Sequence, residues 1–191
     1  MKLKVGDIFT IPVNDEKTGF GQIIKIPNKS NFVIVVFNEI YAGRNWPGLT
    51  EIVNDKILFF GYTMDAKLYH KHWKIIGNDS INVSKIKMPF YKLGTPPDCK
   101  LTDYKGNILR RITKDIFDRL NYQEVIAPVR YENALKATHN FAEWREDYNE
   151  LLYDNVLESI KQVEGLGNNN NLIKYLKDGL GRIWARWMRG S

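Results

Sequence analysis

The sequence predicts an α+β protein. A small, strongly bent antiparallel β-sheet or an SH3-like barrel should form the N-terminal half, and a mainly helical C-terminal half should follow. Three observations carry this prediction. Five or six short runs of β-branched and aromatic residues, each bounded by turn residues, crowd into the first 95 positions. From Pro128 onward the apolar residues recur at helical spacing instead. Between the two regimes lies Gly94-Thr95-Pro96-Pro97-Asp98, whose prolines and glycine halt helix and ladder alike. The division this suggests is a β-rich unit over 1–95 and a hairpin plus helical region over 96–191, either separate from the first or packed on it as one unit.

The first strand is Asp7 to Val13, and Pro12, which lacks an N–H, places it at an edge or beside a bulge. Asn14 to Thr18 carries no large apolar residue and reads as a loop. Gln22 to Ile26 is the second strand. The glycines Gly19 and Gly21 flank Phe20 just ahead of it, a pattern that marks a tight bend or a close backbone approach. Phe32 to Phe37 is apolar at every position, so it should be a central strand covered on both faces. Asn38 to Leu49 contains two glycines and a proline and reads as a loop bearing Tyr41, Arg44 and Trp46, in which Tyr41 and Trp46 are expected to fold back and plug one end of the sheet, with an interface role as the alternative. Ile57 to Thr63 and Trp73 to Gly77 are further strands, with a helical turn at Asp65 to Tyr69 between them. Met88 to Leu93 is extended, with Pro89 suited to an edge.

In the second half, Cys99 to Asp103 and Ile108 to Ile112 form a hairpin around Tyr104-Lys105-Gly106-Asn107. Thr113 is placed to cap a helix from Lys114 to Leu120, with Asp115 near its positive end. Pro128 suits a first helical position, and the helix continues to Thr138. Asn140-Phe141-Ala142-Glu143 resembles a capping box opening a helix from Phe141 to Val163. That helix would bury a stripe of Trp144, Tyr148, Leu151, Leu152, Val156 and Ile160. Its outer face would be acidic: Glu143, Glu146, Asp147, Glu150, Asp154 and Glu158. A last amphipathic helix spans Leu172 to Met188. Its basic residues invite a single-stranded nucleic-acid or membrane-surface reading. Its apolar positions form one stripe, which favours docking on the core and neutralising the acidic helix.

The totals narrow the function. A hydrophobic fraction of 43% excludes global disorder. The net charge of +6 is spread among both signs, which favours a solvated surface over a nucleic-acid face. The single cysteine, Cys99, excludes an internal disulfide and a thiolate metal cluster. Asp7 interrupts any apolar run near the N-terminus, and no stretch reaches membrane-spanning length, so a cytoplasmic location is expected, with no membrane partner.

No catalytic pattern stands out. His70-Lys71-His72 offers two imidazoles, but a third ligand would have to come from elsewhere, so exposed histidines beside Trp73 are the expectation. Cys99 and His139 show no nucleophile signature. There is no G-x-S-x-G and no phosphate-binding glycine loop. The acidic pairs, Glu146/Asp147 and Glu150/Asp154, belong to a solvated face. No enzyme activity, cofactor, metal or small-molecule substrate is expected.

The stretches KVGDIFTIPV…GFGQIIKI and ILFFGYTMDAKLYHKHWKIIGN together resemble the immunity-protein-26 family of bacterial polymorphic toxin and contact-dependent inhibition systems. Its members open with a GD-x-F-x-IP strand, a short loop and an aromatic-FG strand, and later carry a Trp that opens a strand ending in Gly. The resemblance covers roughly residues 3–95. It implies a protein that binds a cognate toxin domain and blocks it, which needs a complementary surface and no reactive group. Interface anchors are typically aromatic residues and Arg, which makes Tyr41, Arg44 and Trp46 the first candidates. The acidic residues Glu146, Glu150 and Asp154 are the second, since they suit a toxin with a basic cleft, such as a nuclease. The competing reading is a small-barrel nucleic-acid-binding protein with a basic helical tail. It predicts binding that falls steeply with salt.

Overall fold

Phe32 to Phe37 are each 4% exposed or less, and the main sheet is built outward from them. They lie in β3 (Asn31–Ala42), which pairs antiparallel with β2 (Lys17–Lys25) on one side and β4 (Ile57–Met64) on the other. Beyond β2 lies β1 (Asp7–Pro12), and beyond β1 lies β5 (Ile75–Asn78). The far edge is the two-residue β9 (Val125–Ile126), parallel to β4. The computed structural model describes residues 2–28, 31–43 and 46–165. Within them the sheet is mixed and six-stranded, and its edges, β5 and β9, do not meet. The fold is therefore α+β with no closed barrel.

The sequence accounts for this sheet residue by residue. Alternate positions of β3 supply its two faces. Phe32, Ile34 and Val36 join Phe9, Ile23 and Phe59 on one side. Val33, Val35 and Phe37 join Ile8, Phe20 and Ile24 on the other. Each fully buried side chain of this size contributes roughly 1.5–3 kcal/mol. Gly21 is forced by the packing: a Cβ there would stand 2.5 Å from the Phe9 ring and 2.9 Å from the Val35 carbonyl oxygen. The register of β2 on β3 also shifts between Gly19 and Gly21. Thr10 N–H reaches Lys74 O at 3.0 Å. Pro12, two residues on, faces the same way but past the end of β5, so its missing N–H breaks no ladder bond.

Helices cover both faces. The first face carries Trp73, α2 (Ala66–Tyr69), α4 (Pro128–Thr138) and a 3-10 helix at Glu146–Leu151. The second carries α1 (Leu49–Val53) and α5 (Tyr153–Glu164). A smaller antiparallel sheet holds β6 (Tyr91–Leu93), β7 (Lys100–Thr102) and β8 (Ile108–Arg111). Gly94 to Asp98 connects β6 to β7, two paired strands of that sheet. The predicted hairpin turns at Asp103, whose carboxylate accepts the N–H groups of Lys105 and Asn107, with Gly106 at φ +82°. α3 (Lys114–Arg119) then packs Ile116 with Leu101, Leu120 and Val163. Thr113 precedes it but caps through its carbonyl, which accepts Phe117 N–H at 3.0 Å, and not through its hydroxyl.

Two expectations change. β3 runs on to Ala42, because Lys17 and Thr18 of β2 extend the ladder opposite Ala42 and Tyr41, so only Gly43 onward is loop, and α1 follows it. The helix expected from Phe141 to Val163 is broken into an irregular turn, the 3-10 helix and α5. The reason is Asn140. It takes φ +61° and ends α4: its N–H reaches Ala137 O at 3.1 Å, and Phe141 N–H reaches Lys136 O at 2.8 Å. This is the Schellman arrangement, so Asn140 is a C-terminal stop and not an N-cap. The helix expected over Leu172 to Met188 lies outside the described residues.

Candidate functional site

The loop after β3 is anchored on Phe20. Tyr41 packs against the Phe20 ring at 5.6 Å and Trp46 at 5.4 Å, edge-on. The Trp46 indole N–H donates to Gly43 O at 3.1 Å, across a turn in which Gly43 takes φ +64°. Tyr41 and Trp46 are both half-buried. Tyr41 also lines a shallow depression with Thr50, Glu51, Asn54 and Asp55. Burial raises its hydroxyl pKa, and the charges of Asp55, Glu39 and Glu51 add to that, so it stays a neutral donor. Tyr41 and Trp46 thus share one aromatic edge with an acidic border. Arg44 lies outside the described residues.

The acidic candidates lie on two elements. Glu146 and Glu150 sit on the 3-10 helix, while Asp154 sits in the first turn of α5. Arg130, reaching from α4, pairs with Asp147 at 3.1 Å and with Glu150 at 2.9 Å. Arg145 also pairs with Asp147, at 3.0 Å. Glu150 and Asp147 are therefore paired within the protein, whereas the exposed Glu146 and Asp154 have no ion pair among the described residues. The buried stripe also differs from expectation at one end. Tyr148, Leu151, Val156 and Ile160 are buried, but Trp144 keeps 43% of its surface exposed.

A cleft of about 410 Å³ opens where the two sheets and α5 meet. Tyr62, Tyr91, Lys92, Tyr122 and Ser159 are among the residues lining it. The Lys92 ammonium lies over the Phe117 and Tyr122 rings, at 4.9 and 4.8 Å. Burial drives the Tyr62 and Tyr91 hydroxyls well above their ordinary pKa; Tyr104 and Asp103 reinforce this at Tyr62, as do Tyr62 and Tyr131 at Tyr91. They act as neutral hydroxyls, and Tyr62 donates to Tyr104 O. Sequence reasoning missed this cleft because residues from distant stretches of the chain build it.

The remaining reactive groups do not converge. His70 and His72 are exposed with ring centroids 6.4 Å apart, in a turn where Lys71 takes φ +59°. Among the described residues no group of three or more His, Cys, Asp or Glu is arranged to hold a metal. Cys99 is buried beside the small sheet, while His139 Nε2 lies 2.8 Å from Asn38 O on the large one. Among the described residues no helix is long and apolar enough to cross a membrane.

The profile of one family, Immunity protein 26, matches residues 4–100. The chain belongs to that family. No curated protein and no solved structure matches it. The immunity-protein-26 region spans β1 to β6 and reaches the first residue of β7. Its signature residues serve the fold. Gly6 takes φ +91°, and the Asp7 carboxylate accepts Lys4 N–H at 2.7 Å and the Asn78 amide at 2.8 Å, which ties the chain start to β5. Trp73 is 1% exposed and stacks on Phe9 at 4.9 Å, with its indole N–H on Glu132 at 3.3 Å.

Proposed function

We propose that this protein binds a cognate bacterial toxin domain in the cytoplasm and neutralises it by protein–protein contact, without chemistry of its own. The observation that carries this reading is the family match over residues 4–100, half of the chain. An immunity protein implies a toxin partner. The aromatic edge of Tyr41 and Trp46, with Arg44 between them in sequence, is the first surface we assign to it, because interface energy concentrates in such anchors. The acidic residues Glu146, Glu150 and Asp154 form a second assignment, suited to a basic toxin cleft such as that of a nuclease.

The test is co-expression with candidate toxin domains, beginning with those taken from genes next to the one for this chain. Toxicity is scored with and without the chain, and the pair is purified together. A stable complex and restored growth are expected; neither appearing would reject the reading. Within a complex, Arg44→Ala with Trp46→Ala should weaken binding by more than about 1 kcal/mol. Unchanged affinity removes that loop from the interface.

A further inference from the structure

The turn between α4 and the 3-10 helix presents two large aromatic residues to solvent. Phe141 is 42% exposed and Trp144 43%. Neither is loosely held. The Trp144 indole N–H donates to Asn149 Oδ1 at 3.2 Å, and its ring lies 5.5 Å from Tyr148, edge-on, and 6.5 Å from Phe59. Phe141 follows the left-handed Asn140 and lies under the Lys17 ammonium, at 5.3 Å. The backbone of the turn is set by the stop of α4, so little order remains to be imposed on binding.

The charges around these rings are specific. Arg145 is folded onto Tyr148 at 5.7 Å and paired with Asp147. Arg130 engages Asp147 and Glu150. The exposed Glu143 and Glu146 have no ion pair among the described residues. Two aromatic anchors flanked by two unneutralised carboxylates complement a basic surface with an apolar notch.

This turn meets the sheet at the end of the β2–β3 ladder, on the opposite face from the Tyr41–Trp46 edge. Lys17, which touches Phe141, is paired with Ala42 in the sheet, and Gly43 N–H reaches Glu16 O at 2.8 Å. We infer that Phe141, Trp144, Glu143 and Glu146 form an interaction surface for the toxin, which must present a Lys- or Arg-lined face with a pocket for Trp144. The surface lies outside the region that the family profile covers. The inference rests on the toxin-binding reading and adds to it the partner's chemistry and the place of contact.

The experiment measures the affinity of the full chain for the toxin domain that the co-expression test identifies, at low and moderate salt. It compares wild type, Trp144→Ala and the double variant Glu143→Lys/Glu146→Lys. Trp144→Ala removes packing on Phe59, so its melting temperature is recorded as well. The double variant changes only exposed side chains and tests the surface without that complication. The expected result is about tenfold or greater weakening in each. In the charge-reversed variant the salt dependence of association should also flatten or invert. A wild-type complex whose affinity neither variant changes overturns this inference and leaves the toxin-binding reading intact. No wild-type complex overturns both.

Discussion

At the scale of single residues, two positions carry consequences for stability. Gly21 is one. Its missing Cβ makes room for the Phe9 ring and the Val35 carbonyl, and the second is backbone that cannot rotate aside. Gly21→Ala should cost about 1–3 kcal/mol, read as a lowered denaturation midpoint with an unchanged slope. Glu132 is the other. It is buried, with Lys67 and Lys136 each at 2.9 Å and the Trp73 indole at 3.3 Å. Burial alone would raise its pKa. The hydrogen bonds from Lys136 and Lys67, and then their charges, outweigh that and hold the carboxyl below its ordinary 4.5. A carboxyl lowered in the folded state stabilises fully above the unfolded value and loses that contribution as pH falls through the folded one. Wild type should therefore lose stability as pH falls below about 4.5. Glu132→Gln should be about 1–3 kcal/mol less stable near neutrality, with the gap closing in acid, as followed by denaturant melts across pH.

At the scale of elements, the informative failure is the helix read from Phe141. The period of its apolar residues was genuine, since Tyr148, Leu151, Val156 and Ile160 are all buried. They belong to a 3-10 helix and an α-helix that bury their apolar sides on opposite faces of the sheet, not to one helix. Asn140 carries the signal that could have shown this, because Asn just after a periodic run is a stop as well as a cap. Since it holds φ +61°, Asn140→Gly should be neutral or stabilising, and Asn140→Ala should lose about 1 kcal/mol. Thermal melts of the two variants separate the stop from a cap, for which both substitutions would be destabilising. Pro128, by contrast, opens its helix as its chemistry requires.

At the scale of the whole molecule, the two halves of the sequence share structure. β9, from the second half, pairs with β4 of the first, and Val156 and Ile160 of α5 join the cluster of Phe60 and Tyr62. The buried amides of Gln22 and Asn82 bond reciprocally at 3.0 and 2.9 Å, which pins the segment after β5 to the centre of the sheet. We propose that 1–95 and 96–191 unfold together, in one transition by calorimetry and by circular dichroism. Residues 1–95 expressed alone should expose the two faces that α4 and α5 cover and fail to show a cooperative melt. An independent melt of that fragment would restore two separate domains.

The sequence by itself determined where β1 to β8 lie, though not their full extent, and with them the doubly apolar centre of the sheet, the start of α4 and the family, because each depends on neighbours a few positions apart. The tertiary structure decided the rest. Arg130 reaches Asp147 and Glu150 from another helix and so dissolves the acidic face into paired and free carboxylates. Trp144, on the apolar stripe, stays exposed because Asn140 redirects the chain before it. The cleft exists only where residues 60–62, 89–92 and 149–159 come together. Periodicity reports which side of an element is apolar; which charges are neutralised and which aromatics remain free depends on residues distant in the chain, and those contacts form only in the fold.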